Sequence, residues 1–138
     1  MRLALALPAL AACVLAAGCG GVTAPDLFLV RRSGSGPHAR LTLLVDEEGG
    51  VTCNGRKAAS KLSDPQIIKA REIQEELEKP SSEHLSLAPR AGSVLSYYVR
   101  DEKGAVRFAD NSAGQPKVLR KLALFVLAAS QEVCGLAQ

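Results

Sequence analysis

The residues with the clearest reactive chemistry are four cysteines, and two of them lie in an apolar N-terminal segment. The chain starts with Met and Arg, residues 3–15 are almost wholly apolar, and residues 16–18 are small. A positive start, an apolar run and small residues are typical of an export signal. The run is shorter than the ~20 residues that span a bilayer, so we expect it to be removed rather than retained as a transmembrane helix.

The last five residues of this segment, Leu15-Ala16-Ala17-Gly18-Cys19, resemble the lipobox of bacterial lipoproteins. The resemblance implies cleavage before Cys19, acylation of its thiol, and anchoring of the protein to an extracytoplasmic membrane surface. Residues 1–18 would be the signal peptide, residues 19–25 a short tether, and residues 26–138 one globular α+β domain.

Two alternatives stay open for this segment. Ala16 stands three residues before Cys19, where the family usually has Leu, Val or Ile. Leu10-Ala11-Ala12-Cys13 fits that pattern better, but it leaves only residues 3–9 as the apolar run, so we prefer Cys19. In ordinary secretion, residues 16–18 would be a plain cleavage site and Cys19 a free thiol.

Two further cysteines, Cys53 and Cys134, remain in the exported part. An even number of cysteines in an exported chain predicts a disulfide. In the chain-entropy treatment, a bridge that closes so long a loop stabilises the fold by about 4–5 kcal/mol. The alternative is two separate buried thiols. We do not expect a metal site, because His38 and His84 have no ligand spacing to either cysteine.

Catalytic motifs are absent from the sequence. It contains no Gly-x-Ser-x-Gly elbow, no His-Glu-x-x-His pair and no Cys-x-x-Cys. Gly34-Ser35-Gly36 begins like a dinucleotide fingerprint, but Ala39 stands where the third glycine belongs. His38 and His84 lie in predicted loops without an evident partner. We therefore expect no enzymatic activity and no cofactor.

Charge and composition argue against a nucleic-acid partner. The formal net charge is only +3, and only 4% of the residues are aromatic, so neither a basic footprint nor a stacking platform is indicated. Two of the adjacent basic pairs, Arg31-Arg32 and Arg120-Lys121, are predicted to be ordinary solvated side chains.

The first half of the domain predicts antiparallel β-structure. Alternating or continuous apolar residues indicate strands over residues 27–30, 40–45 and 51–53. Residues 33–37 are rich in Gly and Ser and predict an exposed loop. Asn54-Gly55 favours a tight hairpin turn.

A helix is predicted next, beginning at Ser63 or Asp64 with Pro65 in its first turn and ending at Pro80. Gln66 is placed to close a capping box with Ser63. The apolar face of this predicted helix consists of Ile67, Ala70, Ile73 or Gln74, and Leu77. Residues 80–92 have no clear period and are predicted to be a loop.

The second half predicts a hairpin and a final helix. Residues 94–100 and 106–109 alternate around a turn at residues 101–104. Pro116 can start the helix, Gly135 can cap its end, and its wide apolar stripe predicts burial against the sheet. The predicted fold is α+β, a small antiparallel sheet in β-β-β-α-β-β-α order with two helices packed on one face.

Residues 93–127 resemble the C-terminal half of the emfourin-like domain, a family of small bacterial inhibitors of thermolysin-type metalloproteases. The matching residues are Ser96-Tyr97-Tyr98-Val99-Arg100-Asp101, Gly104, Val106-Arg107-Phe108, Asp110 and Pro116. The resemblance implies a protein that binds a protease, and it assigns no inhibitory residue. A looser similarity to subtilisin inhibitors covers residues 41–53, without their second disulfide.

Two functions are therefore expected as alternatives. One is a lipid-anchored protein-binding module of the protease-inhibitor type, with an exposed loop at residues 33–38 or 80–89. Its candidate contact residues are Ser35, Pro37, His38 and His84. The other is a structural or accessory envelope lipoprotein that docks through its last helix or an exposed sheet face. The expected partners are the membrane, through the lipid on Cys19, and an extracytoplasmic protease or envelope protein.

Overall fold

A computed structural model describes residues 25–136 of the chain. The expected signal peptide, Cys13, the expected lipidation site Cys19 and residues 137–138 lie outside the described residues. Within residues 25–136, no helix combines the length and apolarity needed to cross a bilayer.

The described residues form an α+β fold with one antiparallel sheet and two helices, as the sequence predicts. The strands are β1 (Asp26–Gly34), β2 (Leu41–Asp46), β3 (Val51–Cys53), β4 (Arg56–Lys57), β5 (Leu95–Arg100) and β6 (Ala105–Ala109), and the helices are α1 (Asp64–Ser82) and α2 (Lys117–Glu132). The two-residue strand β4 was not predicted. It pairs with β3 after the expected turn, in which Asn54 and Gly55 both have positive φ.

The strand order is β4-β3-β2-β1-β5-β6, so β1 lies at the centre of the sheet. This strand is longer than the predicted residues 27–30 and continues into the predicted loop as far as Gly34. It continues because it pairs on both sides. Arg31, for example, lies opposite Thr42 of β2 and Tyr98 of β5.

Helix α1 begins as predicted and ends later than predicted. Ser63 is the N-cap, and its backbone N–H donates to Oε1 of Gln66 at 2.9 Å, within a capping box. The prediction that Pro80 ends the helix is wrong, because α1 continues to Ser82. Pro80 lacks an N–H, but it is buried in the last turn and its carbonyl accepts from Leu85 N.

Both helices pack on one face of the sheet. Alternate residues of β1, β2, β5 and β6 share a core cluster with α1 and α2, including Val30, Leu43, Val99, Ile73 and Leu122. The apolar stripe of α2 is buried as expected, whereas Leu124 is 61% exposed. Gly135 has a φ of 65°, and Leu136 N donates to Ser130 O at 2.9 Å, so a left-handed residue follows the helix as predicted.

Cys53 and Cys134 form the predicted disulfide. Their Cα atoms are 5.9 Å apart, and 81 positions separate them in the sequence. The bridge fastens the end of β3 to the residues that follow α2. It therefore joins one side of the sheet to the C-terminal helix that covers it.

Candidate functional site

The β1–β2 loop, residues 35–40, contains one of the two predicted contact segments, and all its residues except Ala39 are exposed. Ser35, Gly36, Pro37 and His38 are all exposed. Gly34 leads into the loop with a φ of 149°, and a Cβ atom there would collide with the carbonyl oxygen of Val94. A glycine is therefore required where β1 passes into the loop.

A buried arginine holds the other end of this loop. Arg32 is 7% exposed, and its Nε donates to the carbonyl of Ala39 at 3.0 Å. Its Nη2 donates to the carbonyl of His38 at 2.9 Å. The guanidinium group thus satisfies two loop carbonyls that would otherwise be poorly solvated. The prediction that Arg31 and Arg32 are both ordinary solvated side chains is wrong for Arg32.

Tyr97, which lies opposite Arg32 in the register of β1 and β5, does not compensate its charge. Burial raises the pKa of the Tyr97 hydroxyl, and the positive charge of Arg32 partly opposes that rise. Tyr97 therefore stays uncharged, and it stacks on Phe108 with ring centroids 4.8 Å apart. Arg32 consequently acts through its hydrogen bonds to the loop.

The segment before β5 supports the loop from the other side. Ser35 N donates to Val94 O at 3.1 Å. Asp110, at the end of β6, accepts from Ser93 Oγ at 2.8 Å and from Val94 N at 3.1 Å. Slight desolvation tends to raise the pKa of Asp110, but the hydrogen bonds from Ser93 and the backbone outweigh it and lower that pKa. An ionised carboxylate therefore fixes the segment on which the loop rests.

An apolar groove lies beside the loop. It has a volume of about 240 Å³ and is lined by residues of the loop, of the segment before β5 and of the C-terminal end of α2. Pro37, Ala39, Leu95, Leu127 and Leu136 supply its apolar surface. Val94 at its margin is 51% exposed. A groove of this volume can hold one apolar side chain of a partner.

The predicted contact residues fall into two separate places. Ser35, Pro37 and His38 all line the groove beside the β1–β2 loop. His84 is at the end of α1, with a φ of 52°, beside Gly104 in the β5–β6 turn. Since β5 runs between these two places, His84 is not part of the loop site.

The second predicted loop, residues 80–89, is only partly a loop. Its first three residues are helical, and Ser86 forms a parallel bridge with Arg107 of β6. Leu87 N donates to Arg107 O at 2.8 Å, and Arg107 N donates to Leu85 O at 2.9 Å. The pairing arises because residues 85–87 run beside β6 at the outer edge of the sheet. The pattern of apolar residues within the segment does not indicate this contact, because β6 is distant in sequence.

Three residues of the site were missed by sequence reasoning: Arg32, Val94 and Asp110. A usable signal existed for Arg32, because it shares the strand periodicity of Phe28 and Val30, both buried. Val94 and Asp110 gave no comparable signal, since their role depends on how the β5–β6 hairpin meets β1. A comparison with protein families, with curated proteins and with solved structures found no match to this chain.

Proposed function

We propose that this protein is an exported, lipid-anchored protein-binding module of the protease-inhibitor type, and that the β1–β2 loop contacts the protease. One observation carries the proposal. The loop is exposed, yet Arg32 and Val94 hold it in place with hydrogen bonds to three of its residues. A loop that is ordered before binding loses little conformational entropy on binding, which favours tight association.

The position of the loop is consistent with a lipid on Cys19. Pro25, the first described residue, precedes β1, and the loop follows the other end of the same strand. Nine residues of extended strand cover about 30 Å. A tether at residues 19–25 would therefore leave the loop at the end of the domain that is far from the anchor.

The composition of the loop also suits a contact with an enzyme cleft. Ser35, Gly36 and Pro37 have small or compact side chains, so the loop backbone is accessible. The apolar groove beside the loop adds a place for a partner's side chain. One partner could therefore contact the exposed loop and insert a side chain into the adjoining groove.

The test is a titration of the oxidised, lipid-free chain, residues 20–138, into thermolysin-type and subtilisin-type proteases. We expect stoichiometric loss of activity with the thermolysin-type class, with the domain recovered uncleaved. A chain with the disulfide reduced controls for the need for a folded domain. Absence of inhibition with both classes, or inhibition only through digestion of the domain as a competing substrate, would contradict the proposal.

The second candidate is an accessory envelope lipoprotein without inhibitory activity. The observation that favours it is the sheet face opposite the helices, which no described element covers and which carries half-buried Leu29, Leu44 and Tyr98. Crosslinking in the native membrane separates the two functions. The accessory function predicts crosslinks to an envelope protein from this face and none to a protease, and the inhibitor function predicts crosslinks from the loop to a protease.

A further inference from the structure

The uncovered face of the sheet carries a ladder of two arginines and a tyrosine. In the register of the central strands, Arg31 of β1 lies opposite Tyr98 of β5, and Tyr98 lies opposite Arg107 of β6. The guanidinium carbon of Arg107 lies 4.6 Å from the centroid of the Tyr98 ring, and that of Arg31 lies 6.0 Å from it. Both cations therefore flank one aromatic ring.

These cations have no carboxylate partner within residues 25–136. The ion pairs of this part of the chain involve four lysines, Lys61, Lys69, Lys103 and Lys121, and no arginine. Arg31 and Arg107 are exposed, and Arg100 lies on the same face two positions after Tyr98. Stacking on the tyrosine restricts the two guanidinium groups while their N–H groups stay free to bind an anion.

A groove gives this ladder a defined shape. It has a volume of about 370 Å³, and Arg31, Tyr98 and Arg107 line it together with Ser33, Ser96 and residues 86–89. Residues 86–89 form one wall because Ser86 is bridged to Arg107. Ser33, Ser96 and Ala109 add small side chains to the lining of the groove.

The charges of this face are unevenly distributed. Asp26 and Asp46 lie opposite each other at the end of the sheet next to Pro25. Asp101 and Glu102 border a depression at the same end, together with Asp26 and a single cation, Arg100. If the chain is anchored through residues before Pro25, the end of the domain that carries these carboxylates lies nearest the membrane. An anionic membrane surface would repel these carboxylates. The basic groove lies at the other end, towards Ser33.

We infer that this groove binds an acidic, extended segment of a partner protein, whose carboxylates pair with Arg31 and Arg107. Neighbouring side chains on one side of an extended peptide are about 7 Å apart. Two guanidinium groups that both lie within 6.0 Å of one ring centroid are close enough to pair with carboxylates of the same extended segment. The inference does not depend on protease inhibition, because none of its three ladder residues belongs to the β1–β2 loop.

The test uses the oxidised chain, residues 20–138, and a synthetic ten-residue peptide of alternating glutamate and threonine. Matched probes are the same peptide with glutamine for glutamate, and phosphatidylglycerol vesicles. We expect NMR shifts centred on Arg31, Tyr98 and Arg107 with the acidic peptide, and none with the glutamine peptide. The R31Q/R107Q double variant should weaken binding about tenfold or more.

The charge-matched control is R56Q/R120Q, which removes two exposed arginines outside the groove. It should leave most of the binding, and the H38N variant should leave all of it, whatever the outcome of the protease titration. Equal weakening by both double variants would overturn the inference in favour of diffuse charge attraction. Binding to the vesicles without the peptide shifts, or no binding to any probe, would also overturn it.

Discussion

Arg31 and Arg32 are neighbours in β1, yet they lie on opposite faces of the sheet and do different things. Arg32 points to the helix-covered face, is 7% exposed, and donates to two loop carbonyls. Arg31 points to the uncovered face, is exposed, and lies beside the Tyr98 ring. Successive strand residues alternate between the two faces of the sheet. A shift of one position along β1 therefore separates an arginine that stabilises the fold from one that is available to a partner.

The two faces differ in the same way as the two arginines. The covered face is closed by α1, α2 and the disulfide, and its polar groups are satisfied internally. The uncovered face keeps cations without partners among the described residues. Substitutions on the covered face should therefore change stability, and substitutions on the uncovered face should change binding.

The largest expected effect comes from the disulfide that closes the covered face. Replacing Cys53 and Cys134 with alanine should lower the free energy of unfolding by about 4–5 kcal/mol, because the unfolded chain is no longer closed into a long loop. Urea denaturation measures the loss. In buffer where the variant is still folded, binding of the glutamate peptide should be unchanged. A loss below about 1 kcal/mol would show that the bridge contributes little.

The next effect contrasts the two arginines directly. R32M leaves the carbonyls of His38 and Ala39 without their donor, and we expect it to cost about 2–4 kcal/mol. R31M removes a surface charge and should change stability by less than about 0.5 kcal/mol. Urea denaturation of the matched pair gives both values. Equal losses would mean that the burial of Arg32 is not what stabilises the loop.

A smaller difference in stability is expected between variants of Gly34 and Gly36, the two glycines where β1 passes into the loop. G34A should cost about 1–3 kcal/mol, because the new Cβ collides with Val94 O and the φ of 149° is strained. In G36A only the φ of 111° is unfavourable, since no atom lies near the new Cβ. Thermal unfolding should place G34A below G36A. The reverse order would show that contact with Val94 does not constrain the entry to the loop.

The smallest effect is the pH dependence from Asp110. Its folded-state pKa is below the ordinary value of 3.8, so the ionised form stabilises the fold above that pH. This contribution should be lost as the pH falls through the folded-state pKa. D110N should remove it, and the stability of the variant should fall less steeply in acid. Parallel curves for the two proteins between pH 2 and pH 5 would contradict this role.

Much of the fold followed from local patterns. Strand alternation, the Asn54-Gly55 turn, the Ser63 cap and the even number of cysteines in the part expected to be exported depend on residues close in sequence or on a count. They predicted the α+β class, both helices and the Cys53–Cys134 bridge. The errors at Pro80 and in residues 80–89 have another origin, since these residues gain burial or pairing from distant elements that local patterns do not show.

The site was less predictable for the same reason. The sequence identified Ser35, Pro37 and His38 as an exposed segment but could not show that Arg32 and Val94 hold it in place. It offered His84, in residues 80–89, as an alternative contact residue, and the structure places His84 beside Gly104 at the other end of β5. The Arg31–Tyr98–Arg107 ladder depends on the register of three strands, which no single stretch of sequence specifies.

The central claim is that the β1–β2 loop is the surface that contacts a protease. The most direct measurement compares H38N with H84N in the protease titration, because each removes one exposed histidine and asparagine tolerates the positive φ at position 84. We expect H38N to weaken inhibition about tenfold or more, and H84N to inhibit as the unchanged protein does. Unchanged inhibition by H38N with loss in H84N would contradict it, as would absence of inhibition by the unchanged protein.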